Sequence, residues 1–195
     1  MLAAANVGGI DAIFSEVDAG QTEASEETIL AHARVVEELA TLNGAVLPAR
    51  LARPYESEAV LVDAIRGRSA GLLAALEHVR GCIEMGVRVL RERSDATEAD
   101  VSGGDYLRGR LAAVQSADRV ADELDAAVDA ITRDRSRGVT ATAELVLSAA
   151  YLLPRADFES FRAAVETVAG GHPELAFVCV GPWPPYSFAL VDAGS

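Results

Sequence analysis

Short apolar runs bounded by polar or turn-forming residues predict two strands near the N-terminus. Ile10–Val17 alternates loosely between apolar and polar positions and is rich in residues that favour strands. Ala45–Leu51 is a second short apolar run, but Pro48 interrupts it. Because proline cannot donate a backbone hydrogen bond, this second segment is predicted to be an edge strand or the end of a strand.

Two amphipathic helices are predicted in the same part of the chain. In Thr28–Leu42 and Ser57–Val79, apolar residues recur at spacings of three and four, with charged residues between them. The first helix is predicted to end at Gly44, because glycine is common just past a helix C-terminus. Gly67 and Gly71 weaken the middle of the second helix, so the pattern allows a break there.

The second half of the chain begins with a strand whose two faces differ. In Cys82–Leu90, one set of alternate residues is apolar and the other is mixed, which is typical of a strand buried on one face. The apolar face consists of Ile83, Met85, Val87 and Val89. A loop over Arg91–Gly104 leads to the longest predicted helix, Asp105–Arg135, which has an apolar stripe. Gly138 is predicted to cap this helix. Three arginines would then lie at its negative end: Arg133, Arg135 and Arg137.

The remaining pattern completes an α+β fold. A short strand is allowed at Val139–Ala143, and further elements follow: a strand at Glu144–Leu153, a helix at Asp157–Ala169 and a strand at Leu175–Val180. From Cys82 the order is βαββαβ, which is that of the ferredoxin-like fold, with two helices on one face of an antiparallel sheet. We expect two domains. Residues 1–81 form a small β-α-β-α domain, and residues 82–195 form the ferredoxin-like domain with a C-terminal tail.

The charge of the chain argues against two classes of partner. Its formal net charge is −13, from 30 acidic and 17 basic residues. Nucleic acids and anionic membranes are both negative, so neither is an expected partner. The longest apolar run, Leu145–Leu153, is about half the length of a membrane-spanning helix. Met1–Gly9 lacks the basic residue that opens a signal peptide. The sequence therefore predicts a soluble, cytoplasmic protein.

Reactive residues occur in the sequence, but not at spacings that support catalysis or metal binding. Gly67–Gly71 matches the G-x-S-x-G pattern of hydrolases, yet it falls in a predicted helix rather than after a strand. His78 and Cys82 have the spacing of ligands on one helix, but Cys82 begins a strand. Cys82 and Cys179 lie in apolar runs, where a free thiol behaves as a small hydrophobic group. We therefore predict no catalytic residue, no metal site and no cofactor.

The C-terminal tail has the most unusual composition in the chain. Gly181–Phe188 (GPWPPYSF) contains three prolines and three aromatic residues in eight positions. This segment resembles the closing motif of the gas vesicle F/L protein family, GPWPPY followed by a small residue and phenylalanine. The candidate interaction or structural residues are Pro182, Trp183, Pro184, Pro185, Tyr186 and Phe188.

Shorter segments extend the resemblance over nearly the whole chain. They occur in the family's order: Ala31–Val36, Val46–Arg50, Glu84–Val89, Tyr106 and Leu107 with Arg110, and Ala150–Leu153 with Phe158 or Phe161. The chain departs from the family at two places. The pattern shows no strand before Ile10, where family members usually have one, so we expect a shortened N-terminal domain. Leu51–Pro54 stands where the family continues with Phe-Gly.

The resemblance implies an accessory protein of gas vesicle assembly. Such proteins bind the small hydrophobic shell protein and assist vesicle formation, or they form a minor component of the shell. The implied partners are therefore the shell protein and other gas vesicle accessory proteins. An acidic, soluble chain suits a partner that is itself apolar and prone to associate. The alternative is a ferredoxin-like regulatory module that binds a small ligand, which requires a pocket with converging polar groups.

Two interpretations of the tail remain open. Prolines fix φ and cannot donate hydrogen bonds to a sheet, so the tail has to leave the sheet. In the favoured interpretation, Trp183 and Tyr186 fold back onto the core of their own domain as a rigid plug. In the other interpretation, the two aromatic side chains contact a partner protein.

Overall fold

The internal contacts of the chain divide it into two units. The computed structural model describes residues 2–17, 25–49, 51, 54–91, 103–138 and 145–189. The first unit contains Met1–Gly81 together with Pro184–Ser195, and the second contains Cys82–Trp183. The part of the tail from Pro184 onward thus groups with the first unit, whereas we expected the whole tail in the C-terminal domain. Pro184 and Pro185, which follow the last strand of the second unit (Leu175–Trp183), have no backbone N–H to continue its ladder, so the chain leaves the sheet after Trp183.

The first unit opens with a β-hairpin. β1 (Leu2–Val7) pairs antiparallel with β2 (Ile10–Ser15), and the buried Val7 and Ile10 are partners beside the turn. Gly8-Gly9 forms the turn with φ values of +60° and +90°, which glycine adopts without strain. The expectation that no strand precedes Ile10 is therefore wrong. Three consecutive alanines, which are weak strand formers, hide β1 in the sequence.

Three helices belong to the described part of the first unit: α1 (Glu26–Leu42), α2 (Glu58–Gly67) and α3 (Ser69–Val79). The first two begin at a serine cap. The hydroxyl oxygens of Ser25 and Ser57 accept hydrogen bonds from the backbone N–H three residues later, at 3.2 and 3.3 Å. The helix predicted over 57–79 is interrupted at Arg68, directly after Gly67, as the glycine pattern allowed.

The strand predicted at Ala45–Leu51 is not formed. Residues 45–49 have no regular secondary structure, although Pro48 is buried and the three residues before it are partly buried. The sheet of this unit contains only β1 and β2 among the described residues. The apolar run therefore reflects burial of an irregular segment. A segment with proline in it is poorly suited to complete a ladder of backbone hydrogen bonds.

The second unit is built on a four-stranded antiparallel sheet. Its strands are β3 (Cys82–Arg91), β4 (Asp134–Gly138), β5 (Leu145–Pro154) and β6 (Leu175–Trp183). They lie in the order β4-β5-β3-β6, with every neighbouring pair antiparallel. Helix α4 (Gly103–Val128) follows β3, and helix α5 (Phe158–Gly170) follows β5. The βαββαβ order and the α+β class are thus confirmed.

Helices α4 and α5 pack against the sheet around one hydrophobic core. The predicted apolar face of β3 is confirmed, because its four alternate residues from Ile83 to Val89 all belong to this core. From the helices, the most deeply buried members are Val120, Leu124, Val128, Phe161 and Val165. The rings of Tyr151 and Phe161 meet in the core with centroids 5.4 Å apart.

The end of the longest helix differs from the prediction. Helix α4 ends at Val128, and Asp134–Gly138 forms β4 instead of a last helical turn capped by Gly138. Every residue of β4 is exposed, so no apolar pattern marks it as a strand. Besides its backbone pairing with β5, it is held by ion pairs of Arg135 and Arg137 with Asp125 of α4. The strand allowed at Val139–Ala143 lies outside the described residues.

Candidate functional site

A cleft of about 340 Å³ lies between helix α5 and the edge strand β6. The helix contributes side chains at spacings of three and four, which places them along one face: Phe158, Arg162, Val165, Glu166 and Ala169. The strand contributes alternate residues, which point to one side of the sheet: Phe177, Cys179 and Gly181. Met85 of the neighbouring strand β3 completes the lining. The cleft is thus formed by regular elements. Most of its lining side chains are apolar, but with Arg162 and Glu166 its exposed surface is about equally polar and apolar.

The two charged groups of the cleft neutralise each other. Arg162 Nη2 lies 3.8 Å from Glu166 Oε1, one helical turn away. The guanidinium of Arg162 also lies over the ring of Phe158, 5.8 Å from its centroid. Burial raises the pKa of the Cys179 thiol, an effect that Arg162 opposes and Glu166 increases. The cleft therefore offers a neutral thiol and no net charge.

Trp183 is the last residue of β6 and is exposed at 46 %. Strand β6 continues three residues beyond the predicted end at Val180, and Trp183 pairs with Glu84 of β3. The favoured interpretation, in which this ring is buried in the core, is therefore wrong. The side chain stands at the outer edge of the sheet because the strand itself extends to that point.

The remaining residues of the motif differ in exposure. Pro184 and Pro185 are buried, whereas Tyr186 is exposed. A short 3-10 turn over Tyr186–Phe188 follows, in which the backbone N–H of Tyr186 donates to the Pro184 carbonyl at 2.8 Å. Pro182, which follows Gly181 through a cis peptide bond, is exposed. The buried part of the motif is therefore its central proline pair, while its tryptophan and its tyrosine face solvent.

Gly181 places the Trp183 ring beside the cleft. A Cβ atom at Gly181, which lines the cleft, would lie 3.3 Å from Cδ1 of Trp183 and 3.0 Å from Sδ of Met85. The indole is thus a neighbour of the cleft's Gly181 end. An exposed aromatic side chain and the cleft consequently lie next to each other on the same edge of the sheet.

A buried polar network joins α4, β4 and β5. The Tyr151 hydroxyl donates to Asp125 Oδ1 at 2.7 Å, and Arg137 Nε donates to Asp125 Oδ2 at 3.0 Å. Arg135 Nε lies 3.3 Å from the same carboxylate. Burial raises the pKa of Tyr151, and its hydrogen bond to Asp125 raises it further, so the phenol remains protonated. The network ties the charged edge strand β4 to the core and leaves no group poised for proton transfer.

Sequence patterns alone did not reveal this network. The signal lay in the alternation Arg133, Arg135, Arg137, which has the period of a strand and not of a helix. Asp125, next to the core residue Leu124, is the matching acidic residue on α4.

His172 connects the turn after α5 to α4. Its Nε2 lies 2.7 Å from Glu123 Oε2 and its Nδ1 lies 3.4 Å from Glu174 Oε1. The hydrogen bond to Glu123 is the main cause that raises the pKa of His172, with Glu174 adding to it against the opposing effect of burial. The imidazolium form is therefore stabilised by folding.

The contribution of His172 to stability should depend on pH. A raised pKa in the folded state adds stability that is fully present below about pH 6.5, the pKa of an unperturbed histidine, and lost as pH rises through the folded value. We expect His172→Gln to lower the free energy of unfolding by about 0.5–1 kcal/mol at pH 5.5 and by less at pH 8.5. Thermal unfolding at the two pH values measures this. Equal losses of unfolding free energy at the two pH values would contradict this expectation. As a control, Glu123→Gln should remove most of the pH-dependent part of the loss.

The residues weighed as catalytic or metal-binding are not arranged for those roles. Ser69 begins helix α3 directly after α2, so no strand leads into the G-x-S-x-G segment. His78 lies near the end of α3, and Cys82 is the first residue of β3. Neither cysteine forms a disulfide. Within the described ranges, no three side chains of the metal-binding types come together. Of the helices that the structure describes, none has the length and apolarity to cross a bilayer.

The comparison with known families decides the assignment. A family model described as "Gas vesicle synthesis protein GvpL/GvpF" matches residues 2–190. The chain belongs to this family. The resemblance found in the sequence is thereby confirmed, and a role related to gas vesicles follows from membership.

Individual relatives agree with this assignment to the GvpL/GvpF family. The chain is 24% identical over 188 residues to gas vesicle protein F2 of Halobacterium salinarum, covering 95% of this chain and 79% of the relative. It is 32% identical over 183 residues to gas vesicle protein L of a Streptomyces species, covering 82% of this chain and 67% of the relative. The crystal structure of the gas vesicle protein GvpF from Anabaena has a TM-score of 0.82 at 16% identity, covering 98% of this chain and 88% of that one. The crystal structure of gas vesicle protein GvpF from Microcystis aeruginosa has a TM-score of 0.77 at 16% identity, covering 97% of this chain and 89% of that one. The two structures show that the fold is shared.

Proposed function

We propose that this member of the GvpL/GvpF family is a non-enzymatic accessory protein that binds the hydrophobic gas vesicle shell protein. In this role it assists vesicle formation or becomes a minor component of the shell, together with other gas vesicle proteins. We place it in the cytoplasm in association with the vesicle. The observation that carries the proposal is the exposure of Trp183 beside a cleft lined mostly by apolar side chains, within the motif that resembles the family's closing segment.

The chemistry of the cleft suits an apolar protein segment better than a small polar ligand. A small-ligand site usually presents several converging polar groups that fix the ligand's orientation. Here the charged lining residues are Arg162 and Glu166, and they pair with each other. The regulatory ligand-binding alternative therefore has less support. The net charge of −13 helps to keep a complex with an apolar subunit in solution.

Trp183→Ala tests the proposal. Because Trp183 is 46 % exposed, its removal should lower the free energy of unfolding by only about 1–2 kcal/mol, less than the loss at a fully buried tryptophan. If the ring contacts the shell protein, affinity should fall by about tenfold or more, as for an aromatic residue at the centre of an interface. Thermal unfolding and a pull-down with purified shell protein, both on the same variant, give the two values.

Tyr55→Ala is the matched control, because Tyr55 is equally exposed (48 %) and lies outside the motif. It should bind the shell protein as the unmodified chain does. Equal affinity of Trp183→Ala and the unmodified chain would remove Trp183 from the interface. A shell protein that does not bind the unmodified chain at all would refute the proposed function.

A further inference from the structure

The two edges of the four-stranded sheet are protected very differently. Strand β4, at one edge, is five residues long and has the sequence DRSRG, with three charged side chains. Strand β6, at the other edge, is nine residues long and has the sequence LAFVCVGPW, with no charged side chain. Edge strands of soluble proteins are normally short, charged or covered, because their outer backbone groups can pair with another chain. By this criterion the part of β6 from Leu175 to Val180 is an unprotected edge, whereas a bulge in its pairing with β3, together with Pro182, protects its C-terminal end.

Both faces of β6 are apolar at this edge. On the side of α5, Phe177 and Cys179 line the cleft described above. On the opposite side, Ala176 and Val178 are exposed, Val178 at 40 %. A strand added beside β6 would place alternate side chains in the cleft and the others next to Val178. The side chains beside such a strand are mostly apolar on both faces, with the pair Arg162–Glu166 on the cleft side, so the strand should itself be largely apolar.

We propose that the outer edge of β6 binds an extended apolar segment of the shell protein as a fifth strand of the sheet. This inference rests on the proposed function and adds the mode of binding. Backbone hydrogen bonds to β6 hold the segment, and the cleft between α5 and β6 selects its side chains. Trp183, at the end of the same strand, covers one end of the added segment.

Charge indicates which partner occupies the edge. The β6 strand is uncharged and the ion pair of Arg162 and Glu166 leaves the cleft without net charge, so an uncharged segment matches it. A second copy of this chain is disfavoured because each copy carries a net charge of −13. Like charges of this size repel two copies at moderate ionic strength. A hydrophobic partner does not meet this repulsion.

Two variants of the full chain test the edge and the cleft separately. Val178→Lys puts a charge on the exposed side of β6, which is the usual protection of an edge strand. Ala169→Trp fills the cleft from α5, and Ala163→Trp is its control because Ala163 is exposed on the same helix and does not line the cleft. The probes are the purified shell protein and overlapping synthetic peptides that cover its sequence.

We expect Val178→Lys and Ala169→Trp each to weaken binding at least tenfold, with Ala163→Trp unchanged. Circular dichroism and thermal unfolding confirm that each variant is folded. On binding of the active peptide, amide hydrogen exchange should slow within Leu175–Trp183. This slowing reports new backbone hydrogen bonds, and a contact through side chains alone would not produce it.

The outcomes separate this inference from the function on which it rests. If the shell protein binds the unmodified chain, but the variants bind equally well and exchange in β6 does not slow, the added strand is refuted and the proposed function stands. If the shell protein does not bind the unmodified chain, the proposed function is refuted, and the added strand with it. If sedimentation shows a dimer of this chain that Val178→Lys dissociates, a second copy occupies the edge and the assignment to the shell protein is overturned.

Discussion

Replacing Asp125 by alanine should lower the free energy of unfolding by about 3–5 kcal/mol, the usual cost of removing one partner from a buried charge pair. The Asp125 side chain is only 8 % exposed and accepts hydrogen bonds from Tyr151 and Arg137. Without the carboxylate, the fully buried Tyr151 hydroxyl loses its acceptor, and both arginines of β4 lose their inner partner. Chemical denaturation followed by circular dichroism measures the loss.

Two neighbouring carboxylates, Asp122 on α4 and Asp129 directly after it, provide the control for this prediction. Asp122 and Asp129 also pair with the arginines of β4, at 3.2 and 3.5 Å, but each side chain is 74 % exposed. Alanine at either position should cost about 1 kcal/mol or less, as for surface ion pairs. Similar losses for all three aspartates would show that the number of charges, and not the burial of Asp125, determines the stability of this edge.

Gly181→Ala should be the second severe substitution, lowering the free energy of unfolding by about 2–4 kcal/mol through backbone strain and overpacking. Gly181 has φ of +117°, a conformation that residues with a side chain rarely adopt. A Cβ atom there would also lie 2.9 Å from the carbonyl oxygen of Glu84, a backbone atom that cannot move aside. Thermal unfolding of the full chain measures the effect.

Gly170→Ala is the matched control for Gly181→Ala. Gly170 is the last residue of α5, and a Cβ atom there would meet no other atom within 4 Å. Alanine is the better helix former, so this variant should be neutral or stabilised by up to about 1 kcal/mol. The strain argument at Gly181 would fail if the two variants melted at the same temperature as the unmodified chain.

The sequence predicted those elements whose stability comes from apolar burial. The alternation in β3 was sufficient to assign the residues of its buried face, and the stripes of α4 and α5 gave the helices of the second unit. Strand β4 escaped prediction because paired charges help to stabilise it, and such pairing depends on residues of α4 that are ten to fifteen positions away. Periodicity within a short window carries no signal for contacts of that kind.

The candidate site was predictable as a motif but not as a geometry. The composition of Gly181–Phe188 singled out Trp183, yet aromatic residues serve cores and interfaces alike. The exposure of the ring depends on the position of β6 at the edge of the sheet, which follows from strand order. The cleft combines residues of α5 with residues of β6, so no single segment of sequence contains it.

The strand order β4-β5-β3-β6 also determines when the second unit can fold during synthesis. Its central strand β3 pairs only with β5 and β6, both of which follow it by more than fifty residues. While the chain emerges from the ribosome, β3 therefore has no strand partner until β5 has been made. Its other edge stays unpaired until the whole of β6, up to Trp183, has left the ribosome. Contacts so distant in sequence form slowly, and apolar strands left waiting are prone to misassociation. For this chain, the interval between the synthesis of β3 and that of β6 is the period in which a chaperone would be most useful.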